Sequence, residues 1–326
     1  MPSASAHARA RFRAVVVERP GGPEALQLTS LERAPLGDTE VRLRVEASGA
    51  NPVDAGNRAD PQWAGISSPY VVGYECSGVV LEAGALVDDL VEGDEVWALL
   101  AVRGTRWGTY ADELVADASL VARRPTVMTS FEAAALPLAG ATALQLLDRL
   151  GPGPGDWVLV HGAAGGVGHL FVQLARSRGA RIAAPASPAH HDLLRALGAE
   201  VVVDRHSPGA LEQARDRAGA AFSVCADLVG RGRLAASLPF LADGGRAGSI
   251  VELTGDYEEA VDRNMTLHGV LVRPGRDSLQ ALGNEVGSGV VRPHIADVVP
   301  LAECRRVHER LETGRGQGKI VLSVTA

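Results

Sequence analysis

The chain has 326 residues, 46% of them hydrophobic and 22% charged, the balance of a soluble globular protein long enough for two domains. Its formal net charge of −7 argues against a nucleic acid or an anionic membrane as the main partner. No run approaches the ~20 consecutive apolar residues of a membrane span. Cys76, Cys225 and Cys304 stand far apart, with no CxxC pair, zinc spacing or disulfide framework, as suits a reducing cytoplasm.

The opening MPSASAHARARFRAVVV carries arginines but no long apolar core, so it reads as a short disordered lead and not as a signal peptide, while FRAVVVERPGGPEAL reads as a strand, a Pro-Gly-Gly-Pro turn and a return. Short β-type runs separated by turn residues follow. EVRLRVEASG places Val41, Leu43 and Val45 on one face and Arg42, Arg44 and Glu46 on the other, and CSGVVLEAG, GDEVWALL and YADELVADASLV continue the pattern. Strands at this spacing predict a compact, barrel-like β domain.

The character changes near Thr129. SFEAAALPLAGATALQLLDRL favours helix, with Ser130 as the predicted N-cap. After GPGPGD, apolar strands alternate with helical stretches: WVLV, RIAAP, EVVVD, FSVCAD, GRAGSIVEL and LHGVLV. Continuously apolar strands are buried on both faces, which predicts a doubly wound parallel sheet covered by helices, an α/β fold. The tail supplies an amphipathic helix, a Gly-rich turn and a last strand that resembles the β-rich first third. The expected division is therefore 1–127 with 273–326 for the β domain, and 128–272 for the parallel sheet.

Within VLVHGAAGGVGHLFVQLA, Ala163, Gly165 and Gly168 occupy the three places of a G-x-G-x-x-G pattern, with Gly166 and Val167 between them. A pyrophosphate lies against a helix N-terminus only where no Cβ intervenes, and the last glycine lets the helix pack on the strand. The helix that follows carries Val167, Leu170, Phe171, Leu174 and Ala175 on one face. Between a buried strand and an amphipathic helix, the motif predicts dinucleotide binding. An NAD site places Asp or Glu at the end of the second strand, ~20 residues on. Here that position reads Ala183, Ala184 and Pro185, and the next acid is Asp192 inside a helix. Ser187, His190 and Arg205 offer hydrogen bonds and charge to a 2′-phosphate. The expected cofactor is NADPH.

SGANPVDAGNR, PYVVGYECSGVV, GDEVWAL, GTYADELV, AAALPLAGATAL, VLVHGAAGGVG, LRALGAEVVVD and GKIVLSV together resemble the medium-chain dehydrogenase/reductases, in particular their zinc-free quinone oxidoreductase (zeta-crystallin-like) branch. The resemblance runs from about Phe12 to Val324. It implies a GroES-like β-barrel domain built from both chain ends beside a Rossmann domain, with the active site in the cleft between them. Zinc alcohol dehydrogenases of this superfamily carry Cys where Asn51 stands and His where Tyr74 stands. An amide and a phenol do not replace those ligands, and ALLAVRGTRWGTYADE lacks the cysteines of a structural zinc lobe. The expected metal is none.

By the same resemblance Asn51 donates to the substrate oxygen, against the alternative that it only caps the turn before Pro52. Thr142 lies near the nicotinamide, Leu271 and Val272 lay backbone along its carboxamide, and Gly318 and Lys319 reach back toward the cofactor. Many relatives have a tyrosine where Gly56 stands. Its loss weakens a fatty-acyl enoyl reductase reading and leaves Tyr70, Tyr74 and Trp63 as replacements, Tyr74 being the candidate catalytic phenol, against the alternative that they are core aromatics with satisfied hydroxyls. Without a Lewis acid, hydride transfer suits a quinone or an α,β-unsaturated carbonyl, which spreads the developing charge. The expected protein is thus an NADPH-dependent, zinc-free quinone or enone reductase acting on a small molecule. It is expected to be cytoplasmic and to dimerise through an edge strand at LHGVLV. The alternatives are a biosynthetic tailoring enoyl reductase or cyclase-like enzyme of the same fold, and a non-catalytic NADPH-binding protein.

Overall fold

The computed structural model describes residues 10–324. Residues 1–9 of the expected lead lie outside the described residues, and the strand expected in FRAVVV is the first strand, which begins at Arg11. Among the described residues, no helix is long and apolar enough to cross a membrane. The chain forms two units. One takes Met1–Ala135, Asp297–Arg315 and Ile320–Ala326; the other takes Leu136–Ala296 and Gly316–Lys319.

The first unit begins with β1 (Arg11–Val17), β2 (Leu26–Glu32), β3 (Glu40–Ala50), α1 (Pro52–Ala59), β4 (Tyr70–Val71), β5 (Glu75–Ala83), β6 (Glu95–Leu99), β7 (Glu113–Asp117), β8 (Val121–Arg123) and α2 (Ser130–Ala134). One antiparallel sheet has the order β2-β1-β4. In the other, β3 pairs antiparallel with both β5 and β7, and β6 links β5 to β8. The expected alternation along β3 holds for Val41, Leu43 and Val45, all buried. Arg42 departs from it: it too is buried, donating to the carbonyl of Ala34 and pairing with Glu82.

The long helix expected from Ser130 is two helices, because Pro137 has no N–H to continue the ladder and instead opens a new helix at its first turn. The cap is Thr129, not Ser130. Its hydroxyl accepts the Glu132 N–H, and the Glu132 carboxylate accepts the Thr129 N–H.

In the second unit α3 (Pro137–Leu150) is followed by β9 (Trp157–His161), α4 (Gly168–Ser177), β10 (Arg181–Ala186), α5 (His191–Ala196), β11 (Val201–Asp204), α6 (Ala210–Ala218), β12 (Phe222–Asp227), α7 (Arg233–Ser237), β13 (Leu241–Ser249), α8 (Glu258–Asp262), β14 (Thr266–Gly269) and α9 (Arg276–Gly287). The sheet order is β11-β10-β9-β12-β13-β14, parallel throughout. Every residue of β9 is buried, as a strand covered on both faces requires. Val158, Leu159 and Val160 have no exposed surface, each contributing roughly 2 kcal/mol of burial. Chain order reverses between β10 and β12, on either side of β9. This is the switch point at which open α/β sheets bind ligands. The stretch expected to return to the β domain at 273 stays here as far as Ala296, since α9 packs on α3 and Gln145 of α3 holds the Arg273 main chain from both sides.

The chain then runs through β15 (Ile295–Pro300), α10 (Cys304–Glu312) and β16 (Lys319–Ser323). β16 pairs antiparallel with β3, so both chain ends do build the first unit.

Candidate functional site

The dinucleotide turn follows from β9 running into α4 with no room for side chains. Gly162 turns the chain in the left-handed region (φ +73°), and its carbonyl accepts the Gly165 N–H at 2.9 Å. A Cβ on Gly168 would lie 2.1 Å from that same carbonyl oxygen and 2.7 Å from the Ala163 main chain, so only glycine starts the helix this close to the strand. Ala163 is buried under the turn. Among the described residues, no acceptor takes the N–H groups of Gly166, Val167 or Gly168. Three donors at the N-terminus of a ten-residue helix fit a pyrophosphate.

Two later segments brace this turn. The Gly318 N–H donates to the Ala164 carbonyl at 2.8 Å, and the stem of the buried Lys319 lies 3.1 Å from where a Gly166 Cβ would be. His169, buried on α4, bonds through Nδ1 to the Gly165 carbonyl at 2.9 Å and accepts the His294 N–H at Nε2 at 3.0 Å. A carbonyl only accepts, so Nδ1 carries the hydrogen and the ring is neutral. Burial is the first cause that pushes its pKa down to about 4.

At the far end of the parallel sheet β10 runs one residue beyond the expected end, to Ala186, and no carboxylate closes it. Asp192 is exposed on α5 and pairs with Arg195. Of the three residues expected near a 2′-phosphate, the structure joins two. The Ser187 hydroxyl and the Arg205 Nε lie 3.4 and 3.2 Å from one atom, Nε2 of His206. The His190 ring bonds instead to Gln317, at 3.2 Å.

Thr142 sits on the buried side of α3 and spends its hydroxyl hydrogen on the Leu138 carbonyl at 2.7 Å, leaving its lone pairs. Gln145, one turn on, ties α3 to the main chain of Arg273, the residue after Val272. Leu271 is half exposed just past β14.

In the first unit Asn51 precedes α1 and is buried. Its backbone N–H donates to Asp54 Oδ2 at 2.7 Å. Its side-chain amide donates to Oε1 of the buried Glu75 at 2.7 Å and, at 3.4 Å, to the Gly49 carbonyl. The contact to Glu75 is short and the one to Gly49 long. Tyr74 corrects an expectation. Its side chain has no exposed surface, and its hydroxyl accepts the Asn57 amide, so it is a core tyrosine and does not face a substrate. Burial raises its pKa above the ordinary phenol range. Tyr70 is likewise buried, its hydroxyl within 3.0 Å of the carbonyls of Asn57 and Arg58. Trp63 is exposed on the surface under Arg103.

The set Asn51, Tyr74 and Glu75 does not fit catalytic zinc: it offers one carboxylate, already bonded, and no thiolate or imidazole. Among the described residues, no three His, Cys, Asp or Glu side chains gather anywhere to hold a metal. Burial pushes the Cys76 and Cys225 thiols up to about 12, so neither is a nucleophile.

Sequence reasoning passed over His206, His169 and Glu75. His206 follows Arg205 directly and was legible as a second polar group at the end of β11. His169 lies one residue into the helix, off the face read as apolar, and no spacing rule singled it out. Nothing in the spacing of Glu75 and Asn51 told of their contact.

Two family models match the chain: an alcohol dehydrogenase GroES-like domain over residues 37–126 and a zinc-binding dehydrogenase over residues 197–322. The 2-methylene-furan-3-one reductase of Solanum lycopersicum is 34% identical over 93% of this chain and 76% of its own length. The NADPH-dependent alkenal/one oxidoreductase of Arabidopsis thaliana, a chloroplastic protein, is 32% identical over 93% of this chain and 77% of its own. Among solved structures, the quinone oxidoreductase of Coxiella burnetii superposes with a TM-score of 0.89 at 30% identity, covering 97% of this chain and all of that one.

Proposed function

Because the chain belongs to the medium-chain dehydrogenase/reductases, in their quinone oxidoreductase-like branch, we propose that it reduces a small quinone or α,β-unsaturated carbonyl with NADPH and without zinc. The observation that carries the reading is the buried amide of Asn51 at a place where zinc chemistry needs a thiolate. When bound, the reduced nicotinamide supplies the hydride. The chain's own residues do the rest.

The N–H groups of Gly166, Val167 and Gly168 take the pyrophosphate, and Lys319 lies against the same turn. Ser187, Arg205 and His206 take the 2′-phosphate, a choice supported by the missing carboxylate at the end of β10. Thr142, Leu271 and Val272 serve the nicotinamide end. Glu75 holds one amide hydrogen of Asn51. The same amide, whose contact to the Gly49 carbonyl is long, reaches the substrate oxygen and stabilises the charge that develops there. A conjugated acceptor spreads that charge, so hydrogen bonding suffices where a simple ketone needs a metal. With Tyr74 buried, the final proton comes from solvent. The protein dimerises through β14, whose outer edge is unpaired among the described residues.

The test is a panel of quinones and enones with NADPH and with NADH, followed in the reduced-nicotinamide absorbance band. Asn51→Ala is expected to lower kcat/KM on the best acceptor about 100-fold while NADPH affinity holds. Saturable NADPH binding with no oxidation on any acceptor would favour a binding protein. Stoichiometric zinc would overturn the metal-free mechanism.

A further inference from the structure

Helix α1 carries Asp54 and Arg58 one turn apart on its buried side. Two residues from distant parts of the first unit join them. Tyr110 precedes β7, and His308 comes from α10, 250 positions beyond Arg58 in the chain. Arg58 Nη1 lies 3.3 Å from His308 Nδ1, His308 Nε2 lies 3.3 Å from the Tyr110 hydroxyl, and that hydroxyl lies 3.1 Å from Asp54 Oδ2. The His308 ring stands edge-on to Tyr110 at 5.7 Å. Asp54, Tyr110 and His308 have no exposed surface, and Arg58 is closed off apart from its pairing with Glu312.

Donor chemistry fixes the direction of every bond in this row. Arginine only donates, so His308 Nδ1 accepts and Nε2 carries the hydrogen. That hydrogen goes to the Tyr110 oxygen, and the Tyr110 O–H goes to Asp54 Oδ2. The same oxygen takes the Asn51 backbone N–H at 2.7 Å. The row is therefore polarised from a guanidinium to a carboxylate, and it ends on the main chain of the residue proposed to meet the substrate oxygen. A neutral Nε2–H imidazole is the only form of His308 that satisfies both neighbours.

We propose that His308, acting through Tyr110 and Asp54, is a positioning residue for Asn51: the C-terminal helix sets where the active-site amide stands. The proposal rests on the catalytic reading of Asn51 for its kinetic consequence, not for its structural one. Losing the row takes the Tyr110 O–H from the oxygen that holds the Asn51 N–H and so shifts Asn51, and displacements of about 1 Å cost on the order of 100-fold in rate.

The experiment compares His308→Leu, His308→Gln and Tyr110→Phe. Gln restores both bonds, since its Oε1 accepts from Arg58 and its Nε2–H donates to Tyr110. Leu restores neither. His308→Leu and Tyr110→Phe are expected to lower kcat on the best acceptor at least tenfold, with NADPH affinity within about twofold of the parent. His308→Gln is expected to stay within about threefold of the parent in kcat. The second readout needs no turnover: the side-chain amide resonance of Asn51, assigned by its loss in Asn51→Ala. It is expected to shift in His308→Leu and Tyr110→Phe and to stay in place in His308→Gln. An unmoved amide signal in the first two variants overturns the proposal whatever the kinetics. So does equal loss of kcat in Leu and Gln. A protein inactive on every acceptor would remove the reductase reading, and the amide signal alone would then decide this one.

Discussion

The two units prepare their candidate sites by opposite means. In the second, the fit comes from main chain: a turn stripped of side chains, free N–H groups at the start of α4, and a carbonyl that would collide with a Cβ on Gly168. In the first, it comes from buried polar side chains, each committed to the next: Asn51 to Glu75 and Asp54, Asp54 to Tyr110, Tyr110 to His308, His308 to Arg58. A main-chain site is specified by where side chains are missing. A side-chain site is specified by partners that must all be present and correctly protonated.

Acid is the strongest way to break the comparison, because both units bury neutral histidines. His161 and His169 in the second unit are pushed down to about 4, and His308 in the first to about 3, each mainly by burial. Between those values and the ordinary 6.5 of an unfolded chain, only the unfolded state takes up the protons, so stability falls as pH falls. Each histidine costs roughly 1.4 kcal/mol per pH unit in that window. Burial raises the Asp227 pKa, which opposes the trend with a single group. Urea midpoints should therefore drop steeply from pH 7 to pH 5. Flat midpoints across that range would show that these rings are not buried and neutral.

A change confined to the second unit is next in size. Gly168→Val drives a side chain into the Gly162 carbonyl, and overpacking of this kind costs about 1–3 kcal/mol. NADPH affinity should fall at least tenfold, read by quenching or transfer of nicotinamide fluorescence. Retained affinity would mean that the turn does not hold the cofactor.

Removing charge at the end of the same sheet sharpens which nucleotide is meant. Arg205→Ala should weaken NADPH about tenfold, the worth of one charge-assisted hydrogen bond, and leave NADH unchanged. Equal loss for both nucleotides would remove the 2′-phosphate assignment.

The smallest effect lies in the first unit. A Cβ on Gly56, within α1, would meet nothing within 4 Å. Gly56→Ala should raise stability by about 1 kcal/mol through helix propensity and leave the polar row intact. A lower melting temperature would show that the position is held open for another purpose.

Legibility follows the same division. The glycine turn, the six strands of the parallel sheet, the missing acid after β10 and the absence of zinc ligands at Asn51 and Tyr74 were all readable, because each depends on residues close in sequence. The break at Pro137 was readable from its missing N–H but was passed over in favour of helix composition. The two readings of Tyr74 stayed open because burial, which decides between a core phenol and a reactive one, is no property of a local stretch.

What the sequence by itself determined is the pattern that local sterics enforce: buried strands, a turn without Cβ atoms, a helix start, and the residue types available at each candidate position. The tertiary structure alone decided which polar groups meet. Tyr110 and His308 stand 198 positions apart, and Asp54 and Tyr110 stand 56 apart. A hydrogen bond acts only across about 3 Å, so its partners are chosen by how the chain packs and leave no periodic trace along it.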